Sequence, residues 1–175
     1  RSGCDWSSDV CSSDLLYNFW KVLQSDYKNL SDSLIEYKNS HNDEVLAKEL
    51  FNTAKESIAD AESFDAACYF WILNKCSYSG LTENSSFSKT ASKQNFTVSG
   101  AQNLKSVGAL IGHWTITNYD YSEVMNDDHD HRGDVFVFLD PPYKIKSYLY
   151  GTNAELHKDF RSEERRVGKE CRSRW

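Results

Sequence analysis

The feature that most constrains the fold is an apolar run, VFVFL at positions 135–139, which stops abruptly at Asp140, Pro141 and Pro142. Continuous apolar runs bounded by turn residues are typical of buried strands, and a strand does not continue through two prolines. In open α/β sheets, ligands bind beyond the carboxyl ends of the strands. We therefore expect the carboxylate, the two rigid prolines and the ring of Tyr143 to lie at such an edge. The alternative is a proline turn capped by Asp140.

Upstream of this run, apolar residues recur every three to four positions, which predicts helices. The predicted helices cover residues 16–30 with an extension over 31–37, residues 42–61 with Asn42 as the N-cap, residues 64–76 as a buried helix, and residues 101–112. Residues 77–100 are rich in Ser, Thr, Asn and Gly, which predicts a long ordered loop or hairpin. Residues 114–118 alternate in polarity as a strand does.

Both ends of the chain resemble translated sequencing-library adapter. The strings are CDWSSDVCSSDL at positions 4–15 and RSEERRVGKECRSRW at positions 161–175. We interpret residues 1–15 and 161–175 as adapter-derived and assign no domain to them; the alternative is a pair of natural polar tails. On this interpretation residues 16–160 are expected to be an internal piece of a longer protein.

The charge of the chain changes when these ends are set aside. The whole chain has a formal net charge of −6, residues 1–15 contribute −2 and residues 161–175 contribute +3, so the interior has −7. Such an acidic balance does not suggest nucleic acid, because affinity for DNA depends on neutralising phosphates. If the chain binds DNA, its basic residues must be concentrated on one face, or parts outside the segment must supply positive charge.

Cysteine usage bears on the cellular compartment. Of the five cysteines only Cys68 and Cys76 lie in the interior, which leaves no disulfide framework and no zinc-ligand spacing. No signal peptide or long apolar run is apparent. We therefore expect a cytoplasmic protein without a membrane partner.

Three stretches, taken together, carry a family resemblance. LDPPY at positions 139–143 resembles motif IV of amino-group DNA methyltransferases. Residues 70–97 resemble the LNR-x-x-(Y/F)-(N/S)-G region of the D12-class, Dam-like adenine enzymes, and residues 140–160 resemble their DPPY-(x)n-YG-(x)n-H-x-x-F run. The resemblance implies an α/β fold in which a partial Rossmann-like methyltransferase sheet carries a mainly helical target-recognition insert. The catalytic domain would comprise residues 16–36 and 112–160, and the DNA-binding segment residues 37–111.

The same resemblance implies a reaction and its site. A methyl group would pass from S-adenosyl-L-methionine to N6 of an adenine flipped out of double-stranded DNA, and no metal is required. Asp140 and the Pro141 carbonyl would accept the two N–H groups of the amine, with Pro142 stiffening the loop and Tyr143 stacking on the base. Asp140 and the pair Asp120 and Tyr121 would contact the cofactor; an exposed turn aspartate is the alternative for Asp120.

The resemblance also implies DNA contacts within residues 37–111. The positions of the family's DNA-probing hairpin are occupied here by Tyr78, Ser79, Leu81 and Glu83. Phosphate contacts are expected from three lysines, Lys75, Lys89 and Lys93. Some family members have Asn and Arg where this chain has Ser79 and Glu83, so no recognition sequence follows. The alternative is that Tyr78 and Phe87 belong to the local core.

Two histidines in an acidic stretch raise the question of a metal site. His129 and His131 are expected to be solvated rather than metal ligands.

The family's Phe-x-Gly-x-Gly cofactor loop is expected before Leu16, so we expect the 175-residue chain to bind cofactor poorly and to turn over little. The resemblance implies a bacterial or phage-infected host and a DNA-methylation or restriction-modification role. The alternative function is a non-enzymatic DNA-binding or interaction remnant of a methyltransferase scaffold; the oligomeric state is not predicted.

Overall fold

The computed structural model describes residues 12–80, 86–120, 123–124 and 138. The chain divides into two units, Arg1–Asn118 and Tyr119–Trp175. The helices among the described residues belong to the first unit. They are α1 (Ser12–Ser40), α2 (Glu44–Ser57), α3 (Ser63–Cys76), a 3-10 turn (Tyr78–Gly80), α4 (Lys89–Gln94) and α5 (Val98–Ile111).

The helices predicted from apolar spacing are confirmed, with shifted boundaries. The predicted break in the first helix is present, but it lies at Asp26, whose φ of −140° and ψ of 42° are not helical. The predicted N-cap of α2 is wrong, because the cap is Asp43 rather than Asn42. The Asp43 carboxylate accepts a hydrogen bond from the Leu46 backbone N–H at 2.9 Å. A side-chain acceptor there satisfies one of the amide donors left without a partner at a helix start.

The core forms where α1 packs against α3 and α5, while α2 and α4 pack against α3. Helix α3 is buried, as its nearly continuous apolar sequence predicted. Cys68 and Cys76 belong to this core. Burial raises the pKa of each thiol to about 12, and Asp65 adds to the increase at Cys68. Both thiols are therefore protonated and unreactive at neutral pH.

Two polar side chains of α1 fix α5 to it. The buried Ser31 hydroxyl donates to the Ala101 carbonyl at 2.9 Å. Gln24 donates through Nε2 to the Ile111 carbonyl at 2.8 Å and to the Trp114 carbonyl at 2.7 Å. The Gln24 amide thus joins α1 to the end of α5 and to the turn after it, where the Ile111 carbonyl also accepts from the Trp114 N–H at 2.9 Å.

The expected Rossmann-like sheet is a wrong prediction for the part of the chain that the structure describes. That part is mainly helical and contains no strand or sheet; its β-type pairing is the isolated bridge between Ser77 and Phe87. Residues 114–118 are irregular rather than a strand. Ile116 packs against the helical core, and Asn118 donates to the Asp14 carboxylate at 2.7 Å. The alternating polarity of residues 114–118 therefore reflects the burial of one side of the segment against helices, and not membership of a sheet.

The apolar run at 135–139 is described at one position. Phe138 is 78 % exposed and lies in no strand, so the prediction of a buried strand is wrong at this residue. An apolar run reports a preference for burial, and burial needs a covering layer that sequence spacing does not specify.

Helix α1 begins inside the segment interpreted as adapter-derived. Leu15 is 4 % exposed within the core, and the Asp14 carboxylate accepts the bond from Asn118. The assignment of residues 1–15 and 161–175, like the domain boundaries at 36 and 111, stays a prediction. Within the described ranges, no helix is long and apolar enough to cross a membrane.

Candidate functional site

The segment at 77–100, predicted as a long loop or hairpin, begins with a short antiparallel stem, but the prediction is wrong further along, where α4 and the start of α5 lie. Ser77 pairs with Phe87, and the Ser88 N–H donates to the Cys76 carbonyl at 2.8 Å. A further bond from the Tyr78 N–H to the Ser86 carbonyl, at 3.4 Å, closes the stem beyond the bridge. The end of α3 and the start of α4 are therefore held together.

The first turn after the bridge is fixed by a glycine. Gly80 has a φ of +71°, in the left-handed region that glycine occupies without strain. Its carbonyl accepts a hydrogen bond from the Asn74 side chain on α3 at 3.1 Å. A Cβ at position 80 would lie 3.4 Å from the Asn74 amide nitrogen. Asn74 was not singled out from the sequence, although an Asn six residues before a glycine at a helix end was a usable signal for such a turn.

The structure separates the two aromatic residues that could have been either DNA contacts or core. Tyr78 is 73 % exposed. Phe87 is half-buried against the core, with its ring 5.8 Å from the ring of Phe51 in an edge-on contact. The core interpretation therefore applies to Phe87 and fails for Tyr78, whose ring is open to solvent. Ser79 lies in the same 3-10 turn as Tyr78, whereas Leu81 and Glu83 lie outside the described residues.

The three lysines expected to meet phosphates lie on both arms of the stem, in different surroundings. Lys75 is half-buried, with its Nζ 4.6 Å from the centroid of the Trp71 ring. Lys89 is exposed and forms an ion pair with Glu44 of α2. Lys93 is exposed on α4. A surface ion pair is worth about 0–1 kcal/mol, so a phosphate can replace Glu44 as the partner of Lys89 at small cost.

Charge is segregated along the first unit. Residues 66–118 contain four lysines and one acidic residue, Glu83, which gives a net charge of +3. Residues 41–65 contain seven acidic residues and two lysines, which gives −5. The stem, α4 and α5 therefore belong to a basic stretch of an acidic chain, while α2 and the loop after it are acidic. The segregation is along the sequence, and the ion pair between Lys89 and Glu44 joins the two stretches.

The predicted catalytic and cofactor residues are described only in part. Asp120 is exposed, and its carbonyl accepts hydrogen bonds from the backbone N–H groups of Glu123, at 3.0 Å, and Val124, at 3.3 Å. It therefore starts a helical turn. Tyr121 lies outside the described residues, and so does the predicted catalytic loop of Asp140, Pro141, Pro142 and Tyr143.

The described residues were predicted to hold no metal site. No group of three or more His, Cys, Asp or Glu side chains is arranged there to hold an ion. His129 and His131 lie outside those ranges, so their predicted solvation stays a prediction.

Comparison with known proteins agrees with the motifs. No curated protein matches the chain significantly. A family model, that of the D12 class N6 adenine-specific DNA methyltransferases, matches residues 6–175. Because the match covers nearly the whole sequence, the chain belongs to the D12 class of N6 adenine-specific DNA methyltransferases.

Proposed function

We propose that the first unit binds the DNA duplex through the stem at Ser77 and Phe87 and through the lysines beside it. We further propose that Asp140, Pro141, Pro142 and Tyr143 act on the adenine amine. Membership of the family supplies the reaction, which is methylation of adenine N6 in DNA. The assignments of individual residues are our own.

The observation that carries the DNA-binding proposal is the exposure of Tyr78 on a fixed turn. Large aromatic side chains are usually buried, and an exposed ring on an ordered backbone is suited to stacking on a base. Here the backbone is fixed on both sides, by Asn74 at Gly80 and by the bond between Ser88 and Cys76. The backbone at Tyr78 is therefore already in place for a contact with DNA, which lowers the entropic cost of binding.

The lysines supply the electrostatic part of the interaction. Lys75 precedes the bridge and Lys89 and Lys93 follow it, so positive charge flanks Tyr78 on both arms. Contacts of lysine with phosphate position a protein on DNA and make its affinity depend on salt. The acidic α2 meets this face at Glu44, the ion-pair partner of Lys89, where a phosphate would take the place of the carboxylate; the rest of α2 is not expected to contact DNA.

We propose S-adenosyl-L-methionine as the methyl donor, in keeping with the family; when bound, it supplies a methyl group already activated as a sulfonium. Asp120 is exposed at the start of a turn, which is the alternative that the sequence left open, so the proposed contact of its carboxylate with the amino group of the cofactor's adenine rests on the family resemblance. Tyr121 would pack on the purine, and Asp140 would lie beside the reacting centre.

The chemistry proposed for the catalytic loop follows from its residue types. The N6 lone pair of adenine is delocalised into the ring, which makes the amine a weak nucleophile. Hydrogen bonds from its two N–H groups to the Asp140 carboxylate and the Pro141 carbonyl would localise the lone pair on nitrogen. Pro142 limits movement of the loop, and Tyr143 would stack on the flipped base, a contact worth about 1–3 kcal/mol.

DNA binding by the 175-residue chain tests the first part of the proposal. Binding of a fluorescent duplex is measured by anisotropy over a range of salt concentrations for the wild type, Lys93→Ala, Tyr78→Ala and Lys48→Ala. Lys48 is the matched control, since it is exposed on the acidic α2. We expect Lys93→Ala to weaken binding and to lower the salt slope by about 1. We expect Tyr78→Ala to weaken binding by about tenfold at an unchanged slope.

The results separate the assignments. If Lys48→Ala lost as much DNA affinity as Lys93→Ala, the DNA would not lie specifically against the stem and α4. If the wild type bound no duplex, the proposed interface would be overturned. The catalytic assignment has its own test in an active enzyme that contains this segment. There Asp140→Ala is expected to abolish methyl transfer and leave DNA affinity unchanged, and retained transfer would remove Asp140 from the mechanism.

A further inference from the structure

Helix α4 has one buried side and one exposed side, although it has only six residues. Ala91 and Ser92 are buried. Thr90, Lys93 and Gln94 are exposed. Positions i, i+3 and i+4 share one face of a helix, so these three side chains form a single polar surface, which we call the α4 face. It is polar without an acidic group, and Lys93 makes it positively charged.

The α4 face is fixed to the proposed DNA-binding stem. Ser88 is the residue after Phe87 in the bridge; its N–H donates to the Cys76 carbonyl, and its hydroxyl caps α4 by accepting from the Ala91 N–H at 3.3 Å. On the opposite side, Lys38 of α1 donates to the Ser92 carbonyl at 3.0 Å. The helix is therefore held at its start and along its buried side, so its exposed side chains project from a rigid support.

The composition of the chain restricts how it can read bases. No arginine occurs between positions 2 and 131. Contacts of arginine or lysine with guanine are the commonest specific contacts in the major groove, whereas the amide of Asn or Gln pairs with the N6 amino group and N7 of adenine. The amide of an exposed glutamine on a rigid surface is therefore suited to adenine, and the exposed lysine beside it can contact a phosphate.

We propose that the α4 face enters the major groove and that Gln94 reads an adenine other than the one that is methylated. Gln94 would donate its amide hydrogen to N7 and accept from N6, and Lys93 would contact the adjoining phosphate. The recognition sequence would then contain at least one adenine besides the target. This inference rests on the proposed function, because it requires the stem and α4 to face DNA.

The test begins with selection of bound duplexes from a randomised pool by the 175-residue wild type, Gln94→Ala and Gln102→Ala. Gln102 is exposed on α5 and provides the same substitution away from the α4 face. We expect the wild type and Gln102→Ala to enrich the same adenine-containing motif. We expect Gln94→Ala to lose the preference at one adenine while retaining binding to the pool, and circular dichroism to show that its helix content is unchanged.

An atomic substitution in the DNA then identifies the contact. Each adenine of the selected motif is replaced in turn by 7-deazaadenine, which has carbon in place of N7. At one position this is expected to weaken binding by the wild type about tenfold, within the range for one bidentate base contact. Gln94→Ala, already weakened by a similar factor, is expected to show no further loss at that position.

The outcomes distinguish the role of Gln94 in reading a base from the DNA-binding face itself. DNA binding without any sequence preference, an unchanged motif for Gln94→Ala, or equal sensitivity of both proteins to 7-deazaadenine overturns the role of Gln94 and leaves the DNA-binding face intact. Failure of the wild type to bind any duplex overturns the proposed interface, and this inference with it.

Discussion

Gly108 of α5 lies directly against Leu23 of α1, so close that a Cβ at position 108 would lie 2.8 Å from the Leu23 carbonyl oxygen. It would also overlap the side chain of Tyr27. The two residues of α1 that such a Cβ would meet, Leu23 and Tyr27, lie on either side of Asp26, where α1 departs from helical geometry. The absence of a side chain at Gly108 therefore permits the contact on which the packing of α1 against α5 depends.

Gly108→Ala is expected to destabilise the first unit by about 1–3 kcal/mol, because the added methyl group overpacks the contact between α1 and α5. In an exposed helix the same change would stabilise by about 0.5–1 kcal/mol. Gly112→Ala is the control, since a Cβ there would meet its nearest atom at 3.6 Å. Urea denaturation measures both variants, and an unchanged midpoint for Gly108→Ala would contradict the close approach.

The N-cap of α2 provides a second test with a neighbouring control. Asp43→Ala removes the acceptor for the Leu46 N–H and is expected to cost about 1 kcal/mol. Asn42→Ala alters the exposed residue beside it, which the sequence pattern had favoured as the cap, and is expected to leave the free energy of unfolding unchanged. Equal losses for the two variants, measured by urea denaturation, would contradict the assignment of the cap to Asp43.

The two aromatic residues of the stem should differ in what they contribute to stability. Phe87→Ala removes a half-buried ring that contacts Phe51, and we expect a loss of roughly 2 kcal/mol, below the value for a fully buried phenylalanine. Tyr78→Ala removes an exposed ring, and we expect a change within about 0.5 kcal/mol. Thermal unfolding of both variants is the measurement. If Tyr78→Ala lowered the free energy of unfolding as much as Phe87→Ala, Tyr78 would belong to the core.

Stability should fall as pH rises from about 9 to about 12. Burial raises the pKa of Cys68 and Cys76 from the ordinary 9.0 to about 12. Above pH 9.0 the unfolded chain releases thiol protons that the folded chain keeps, so alkaline conditions favour unfolding. The double variant Cys68→Ala/Cys76→Ala should show a shallower decline in urea denaturation across this interval. Part of the decline should remain, because burial also raises the pKa of Tyr37; an identical slope would show that the thiols do not contribute.

The sequence by itself determined the helices and the family. Apolar residues at helical spacing located α1, α2, α3 and α5, because each helix buries one side and repeats every 3.6 residues. The ordered motifs at residues 70–97 and 139–160 indicated the D12 class, and the family match confirms it. Local sequence patterns were sufficient for the helices and for the family, because a helical repeat and each single motif involve residues that are close together in the chain.

Only the tertiary structure decided what each buried side faces and which aromatic is exposed. The alternation at 114–118 predicted a strand, yet Ile116 packs against helices and Gln24 bonds to the Trp114 carbonyl. Tyr78 and Phe87 looked equivalent in sequence, but the bridge between Ser77 and Phe87 turns one ring towards Phe51 and leaves the other in solvent. Periodicity records that a side chain is covered, whereas its covering partner is set by contacts between residues far apart in the chain.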